Sequence, residues 1–149
     1  KGLWGKGFVL AVSAKWPMAE RAYLNWQKQE YTADGTRRPK PDLALGSTQL
    51  VGVETDIWVA NMIGQHDIVT KDGVPPVRYD AIQTALLSVA RYAKLFDASV
   101  HLPHIGSGLA GGDWNRIRRI INKTLRDIPV CIYRYTDKAS ISFVPKLKK

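Results

Sequence analysis

The chain is poor in the side chains that build cross-links and metal centres. Cys131 is its one cysteine, which excludes an internal disulfide and a multi-cysteine metal site. Of three histidines, His101 and His104 are too isolated for a metal site, with no third ligand in view, so the expectation is no metal and no cofactor. No apolar run approaches the roughly 20 residues needed to cross a bilayer. The opening stretch Lys1-Gly2-Leu3-Trp4-Gly5 is broken by glycine at once and has no signal-peptide pattern. These absences make the cytoplasm the default compartment and leave no expected membrane partner. There is no G-x-x-x-x-G-K-[ST], which argues against a P-loop NTPase, and there are no repeats or low-complexity tracts. Acidic residues are also scarce, 13 Asp and Glu against 22 Lys and Arg.

The resulting net charge of +9 favours an anionic partner, whether nucleic acid, a phosphate-bearing small molecule or an anionic surface. A basic, solvated surface accounts for it equally well. The basic residues are scattered: Arg37, Arg38 and Lys40 in one loop, Arg116, Arg118 and Arg119 on an expected helix, Lys146, Lys148 and Lys149 at the end. That scatter suits solvation with local steering better than a nucleic-acid groove. The length of 149 residues fits one domain, 1–149, with 135–149 as a basic tail, and a monomer is expected. A chain of this size can bury roughly 68–70% of its unfolded surface, enough for one core.

"GKGFVLAVSAKW" reads as a glycine loop opening a helix, with Phe8, Val12 and Leu10 facing inward. Pro17 suits the first turn of a second helix, which carries Ala22, Tyr23 and Trp26 at inward spacing. Residues 30–42, with Gly35, Pro39 and Pro41, read as an exposed loop. "STQLVGVE" and "IWVANMIG" are strand candidates joined at Thr55-Asp56, and "QHDIVTKDGVPPVRYD" is a loop. From Tyr79 to Leu95 the residues Ile82, Leu86, Val89 and Ala93 recur at four-, three- and four-residue steps, an amphipathic helix. "ASVHLPHI" is a strand, "DWNRIRRIINKTL" a helix with Ile117, Ile120, Ile121 and Leu125 on one side, "VCIYRY" a strand, and "ISFV" a further strand candidate. Alternating helices and strands in the second half imply parallel pairing and an α/β layered fold.

The densest feature is "HIGSGLAGGDW", residues 104–114, which holds Gly106, Gly108, Gly111 and Gly112 between a strand and a helix. Glycine loses more chain entropy on folding than any other residue, so this placement needs a reason. A helix N-terminus presents unpaired N–H groups and partial positive charge. Glycines ahead of it let backbone amides close on an anion, and together they form a phosphate cradle. "GLWGKGF", with Gly2, Gly5 and Gly7 leading into a helix, repeats the device, and two such loops can hold the two phosphates of a diphosphate. The spacing G-x-G-x-x-G does occur, as Gly106, Gly108 and Gly111, but late in the chain. The plain alternative for each loop is a tight turn.

"GLWGKGFVLAVSAKWP", "WVANMIGQHDI" and "LPHIGSGLAGGDW" together resemble a macrodomain. They are most similar to the ADP-ribose 1″-phosphate processing type, in the branch related to terminal ADP-ribose protein glycohydrolase, over residues 2–134. The resemblance implies a three-layer α/β/α domain with a mixed sheet, binding ADP-ribose in a cleft above the strand ends. By the resemblance, Gly5, Lys6, Gly7 and Phe8 line the proximal phosphate and ribose. Gly106, Ser107, Gly108, Leu109, Ala110 and Gly111 wrap the diphosphate and distal ribose, with Ile105 and Leu109 as apolar walls. Trp4, flanked by loop glycines, is placed to stack on a ligand ring. The family's sheet has two strands ahead of the point at which this chain starts, one of them interior. The expectation is therefore a chain lacking those N-terminal strands, together with the His, Asn and adenine-contacting Asp that relatives carry there.

The glycohydrolase relatives use a lysine after the strand matching "WVANMIG" and an aspartate after the glycine stretch. Here those positions read Gly64 or Gln65, and Ala110, so a lysine-adduct mechanism does not carry over; Lys71 lies a few residues on. His66 and Asp67 follow a strand end, and a histidine there can serve as general acid or base near neutral pH. The plain alternative is that Gln65 and His66 only hydrogen-bond the loop. Asp113 can activate water or cap a helix, and Cys131, between Val130 and Ile132, reads as a core thiol. The expected function is an ADP-ribose-binding macrodomain that hydrolyses ADP-ribosyl adducts or ADP-ribose 1″-phosphate, so the enzyme class is a hydrolase or phosphatase. Its partners are ADP-ribose or ADP-ribosylated protein or nucleic acid. The rivals are a non-catalytic ADP-ribose reader and, from charge alone, a nucleic-acid-binding domain.

Overall fold

The structure is a computed structural model and describes residues 4–28, 44–134 and 142–145. The expected loop at 30–42 falls outside the described residues, as does all of the 135–149 tail except 142–145. Two helices come first, α1 (Phe8–Lys15) and α2 (Pro17–Lys28). They are followed by β1 (Thr48–Glu54), β2 (Ile57–Met62), α3 (Tyr79–Leu95), β3 (Val100–Pro103), α4 (Trp114–Thr124), β4 (Val130–Arg134) and β5 (Ser142–Pro145). β1 and β2 form an antiparallel pair through the Thr55-Asp56 turn. β3 and β4 run parallel across α4, and β5 adds to β4 antiparallel. The second half therefore has the parallel crossover that alternating elements require.

Side chains alternate across a strand, and the β1–β2 pair uses this to carry helices on both faces. Gln49, Val51, Val53, Val59 and Asn61 face α1 and α2: Val53 is buried with Val12 and Ala19, and Val51 and Val59 pack against that cluster. Buried Asn61 donates from Nδ2 to the Ala19 carbonyl at 3.2 Å and to Gln49 Oε1 at 3.0 Å, while Gln49 Nε2 donates to the Ala22 carbonyl at 3.1 Å. On the opposite face Thr48 Oγ1 donates to the Ala85 carbonyl of α3 at 3.2 Å, and Trp58 stacks on Phe96 at 4.6 Å. This gives three layers, α1–α2, the β1–β2 pair and α3, with α4 packed beside α3, while β3, β4 and β5 form a separate three-stranded mixed sheet.

The larger core lies between α3, α4 and the β3–β4 pair. Ile82, Leu86, Ala90 and Ala93 of α3 meet Ile117, Ile121 and Leu125, with Leu102 and Val130 from the strands. Val89 of α3 is buried as its spacing implies. α3 ends in a Schellman arrangement, in which Ala98 N donates to the Ala93 carbonyl and Asp97 N to the Lys94 carbonyl, with Asp97 left-handed at φ 50°. One helix departs from its expected pattern. In α1 only Val12 is buried, while Phe8 and Leu10 are 56% and 53% exposed. Only one stripe of that eight-residue helix meets α2 and the sheet.

Leu86 is 1% exposed and its neighbour Leu87 is 44% exposed. Leu86→Ala is expected to destabilise the fold by about 2–5 kcal/mol through the cavity it leaves. Leu87→Ala should stay within about 0.5 kcal/mol of the parent, both measured by denaturant unfolding.

Candidate functional site

β3 ends at Pro103 because the chain turns there: Ile105 N donates to the Pro103 carbonyl at 2.8 Å, and Gly106 is left-handed at φ 67°. The loop closes on itself through two main-chain bonds, Gly112 N to the Gly106 carbonyl and Gly111 N to the Gly108 carbonyl, both 2.9 Å. Between them, the amides of Gly106, Ser107, Gly108, Leu109 and Ala110 donate to no acceptor among the described residues. A row of free amides within a closed loop is the arrangement that receives an anion. α4 begins directly after it and adds its own N-terminal field. Asp113 caps that helix, accepting from Asn115 N at 2.8 Å.

The glycines here do different jobs. At Gly106 a Cβ would meet Ile117, Ile82 and Val77 at 3.1–3.3 Å, and at Gly111, φ 66°, it would meet Pro75 at 3.2 Å. At Gly112 a Cβ would stand 2.5 Å from the Gly106 carbonyl oxygen, so this position tolerates no side chain while the loop stays closed. Gly108 has nothing within 4 Å of its would-be Cβ. The spacing in the sequence marks Gly106, Gly108 and Gly111 for binding; the steric role of Gly112 is not legible there, because a spacing pattern carries no steric information.

The loop rests on the segment from Gly64 to Arg78, which folds as a pinched hairpin. Gln65 bridges Val77 at its base and Lys71 bridges Val74 at its tip. Asp72 and Gly73 are left-handed there, at φ 51° and 75°, as a type I′ turn requires. Arg78 locks the base: Nη1 donates to the carbonyls of Pro75, Pro76 and Val77, and its own amide donates to the Gly64 carbonyl. Tyr79 joins the two segments, its hydroxyl accepting from Asp113 N at 2.9 Å beneath the Arg116 guanidinium, 3.9 Å from the ring. Arg78 and Tyr79 were not singled out in the sequence; the signal for the hairpin, Asp-Gly, was present.

The structure brings His66 and Asp67 onto this hairpin. His66 is exposed, and its amide donates to the Pro76 carbonyl. Asp67 accepts from Ile68 N on Oδ1 and from Gln65 Nε2 on its carbonyl. Leu109 is 74% exposed at the loop tip, whereas Ile105 packs against the main core and Ala110 is buried in it. Ser107 Oγ donates to the His104 carbonyl. The His104 ring stacks on Trp114 at 3.9 Å, and burial, with Arg134 second, lowers its pKa below the ordinary histidine value.

The first glycine loop sits on the other cluster. Gly5, Lys6 and Gly7 are exposed, Gly7 has φ 78°, and neither glycine's Cβ would meet anything within 4 Å. The amides from Gly5 to Val9 find no acceptor among the described residues. Trp4 is anchored, its Nε1 donating to Ser13 Oγ at 2.6 Å and its ring lying 5.2 Å from Tyr23. No hydrogen bond, ion pair or ring contact joins this loop to residues 105–112 among the described residues. Among those residues, no group of three or more His, Cys, Asp or Glu is arranged to hold a metal, and no helix is long and apolar enough to cross a membrane.

No family model and no curated protein matches the chain. Solved structures do. It is similar to a protein of unknown function from Bacteroides thetaiotaomicron, at 46% identity over 90% of this chain and 81% of that one, with a TM-score of 0.78. It is also similar to a macrodomain protein from Streptomyces coelicolor, at 47% identity over 91% of this chain and 81% of that one, TM-score 0.70. The DarG macrodomain of Mycobacterium tuberculosis shares the fold at 18% identity, covering 91% and 83%, TM-score 0.68.

Gly112→Ala is expected to cost about 1–3 kcal/mol by forcing the loop open, while Gly108→Ala should change unfolding free energy by less than about 0.5 kcal/mol. His104 gives a pH signature. Its folded pKa is depressed, so the unfolded chain binds the proton first as pH falls. Stability is full above the ordinary histidine value near 6.5 and declines below it until the folded pKa is passed. The melting temperature should therefore drop on acidification from about pH 7 to about pH 5, and less so in His104→Phe.

Proposed function

The chain belongs to the macrodomain family, and from that premise we propose that it binds ADP-ribose through main-chain amides and processes it hydrolytically. The observation that carries this reading is the row of unbonded amides from Gly106 to Ala110, inside a loop closed by Gly112 and continued by the α4 N-terminus. Such a row neutralises a diphosphate without a cationic side chain. In this reading Gly106, Ser107, Gly108, Leu109, Ala110 and Gly111 enclose the diphosphate and distal ribose. Gly111 contributes through the turn it shapes, because its amide is already bonded to Gly108. Gly5, Lys6, Gly7 and Phe8 take the proximal phosphate and ribose, and Trp4 adds an aromatic edge from its anchored position.

For turnover, a water would attack the anomeric carbon of the distal ribose as its bond to the adduct breaks, or the phosphorus of ADP-ribose 1″-phosphate as the P–O bond to the ribose breaks; His66, with Asp67 beside it, would accept the water's proton and return it to the departing group. The loop amides would stabilise the charge that develops. The substrate is then an ADP-ribosyl adduct on protein or nucleic acid, or ADP-ribose 1″-phosphate, handled by a cytoplasmic monomer. One observation favours a second reading, a non-catalytic ADP-ribose reader. Ala110 is 7% exposed within the main core, so the position where glycohydrolase relatives are expected to carry an aspartate has no carboxylate and is turned away from solvent.

Two experiments test the proposal. Calorimetric titration with ADP-ribose should show one site, and Gly108→Glu should weaken it by about a hundredfold or more, roughly 2.7 kcal/mol. Because position 108 is open, that variant should melt like the parent. Unchanged affinity in a folded Gly108→Glu would remove the loop from the site. Incubation with ADP-ribosylated protein separates the readings: release over time that falls in His66→Ala supports hydrolysis, and binding without release supports the reader.

A further inference from the structure

Of the three histidines, His104 is the one whose ring closes on a residue across the glycine loop. It is the first residue past β3, and its ring lies face to face on Trp114, the first residue of α4, with 3.9 Å between centroids and 10° between planes. Its carbonyl accepts from Ser107 Oγ at 3.2 Å. The loop is thus closed twice: once by the main-chain bond from Gly112 N to the Gly106 carbonyl, and once, further out along the chain, by two stacked rings. Trp114 is the fixed half of the stack, because it packs against the main core and follows the Asp113 cap. His104 is the half that belongs to the loop. A ring pair contributes beyond the area it buries, and here that contribution opposes widening of a segment rich in glycine.

We propose that His104 is a positioning residue for the anion site: its stack on Trp114 holds the glycine loop closed, and its charge is linked to that of the ligand. The inference rests on the ADP-ribose reading above and adds to it a regulation by pH. The surroundings of the ring are cationic. Burial disfavours the imidazolium first, and the Arg134 guanidinium of β4 second. α4 presents the positive end of its dipole at Trp114, with Arg118 exposed one turn further on, while the Asp113 carboxylate is taken up by Asn115 N. The free site therefore keeps His104 neutral at neutral pH. A diphosphate on the amides from Gly106 to Ala110 brings negative charge beside the ring and favours the imidazolium. Binding then draws a proton onto His104. The stack survives this, because a cation over an indole face is attracted to it. The ligand raises the ring's pKa from its depressed value, so affinity rises as pH falls through the bound-state pKa and levels off below the free-state one.

The test is calorimetric titration of the 149-residue chain with ADP-ribose between about pH 8 and about pH 5, with hydrogen exchange of the Gly112 amide read alongside. The parent should bind about threefold to tenfold more tightly at the acid end, with heats that follow the buffer's ionisation enthalpy as protons are taken up. His104→Ala should weaken binding about threefold to tenfold at about pH 8 and speed Gly112 exchange by a similar factor. His104→Phe restores a stacking ring that does not titrate. It should rescue both binding at about pH 8 and the Gly112 amide, and it should lose the gain on acidification. The difference between the parent and His104→Phe separates this ring from His66. Parent-like affinity and Gly112 exchange in a folded His104→Ala would overturn the assignment, as would an acid gain that persists in His104→Phe. Should His104→Ala not fold, the pH profile of His104→Phe decides. A parent that does not bind ADP-ribose overturns the reading beneath the inference, and Gly112 exchange in the variants then still tests the clasp.

Discussion

The main-chain bond from Gly112 N to the Gly106 carbonyl is the constraint on which the rest of the site depends. It ties the end of β3 to the start of α4 across a loop in which the amides from Gly106 to Ala110 have no acceptor among the described residues. The bond is possible only because position 112 has no Cβ and because Gly106 turns left-handed over Val77, Ile82 and Ile117. Those three side chains come from the hairpin, α3 and α4. The loop's shape is therefore set by the hydrophobic core beneath it and does not depend on its own exposed residues.

The core and the site are built as one piece for the same reason. α3 supplies Ile82 to the floor of the loop and Tyr79 to its far end, while its other turns bury Leu86, Ala90 and Ala93 against α4 and the strands. Arg78, one residue before that helix, gathers three carbonyls of the hairpin base. Rigid elements thus hold the amides in fixed positions, which is what a main-chain anion site would require. On the other face, Asn61 and Gln49 bridge to the carbonyls of α2. That bridge joins α2 to the sheet with directional bonds where apolar contact is thin.

Much of this was legible in the chain. The Tyr79–Leu95 helix, the two strands around Thr55-Asp56, the Asp113 cap and the parallel β3–α4–β4 crossover all follow from periodicity and turn chemistry, which act locally. The macrodomain fold followed from three ordered motifs. What failed or was missed depends on contacts distant in sequence. Phe8 and Leu10 were expected inside α1, yet that helix finds only one stripe of partners. The 64–78 segment read as a plain loop although Asp72-Gly73 marks a hairpin tip, because the strands flanking the tip pair for a single bridge each.

The sequence by itself determined where anion-binding backbone could exist: glycine clusters ahead of helices allow close approach, and that permission is a property of residue type. Only the tertiary structure decided which glycines are indispensable, which amides stay free, and which histidine ring spans the loop. Each of these depends on what lies across a gap from the residue, and a neighbour in space need not be a neighbour in the chain.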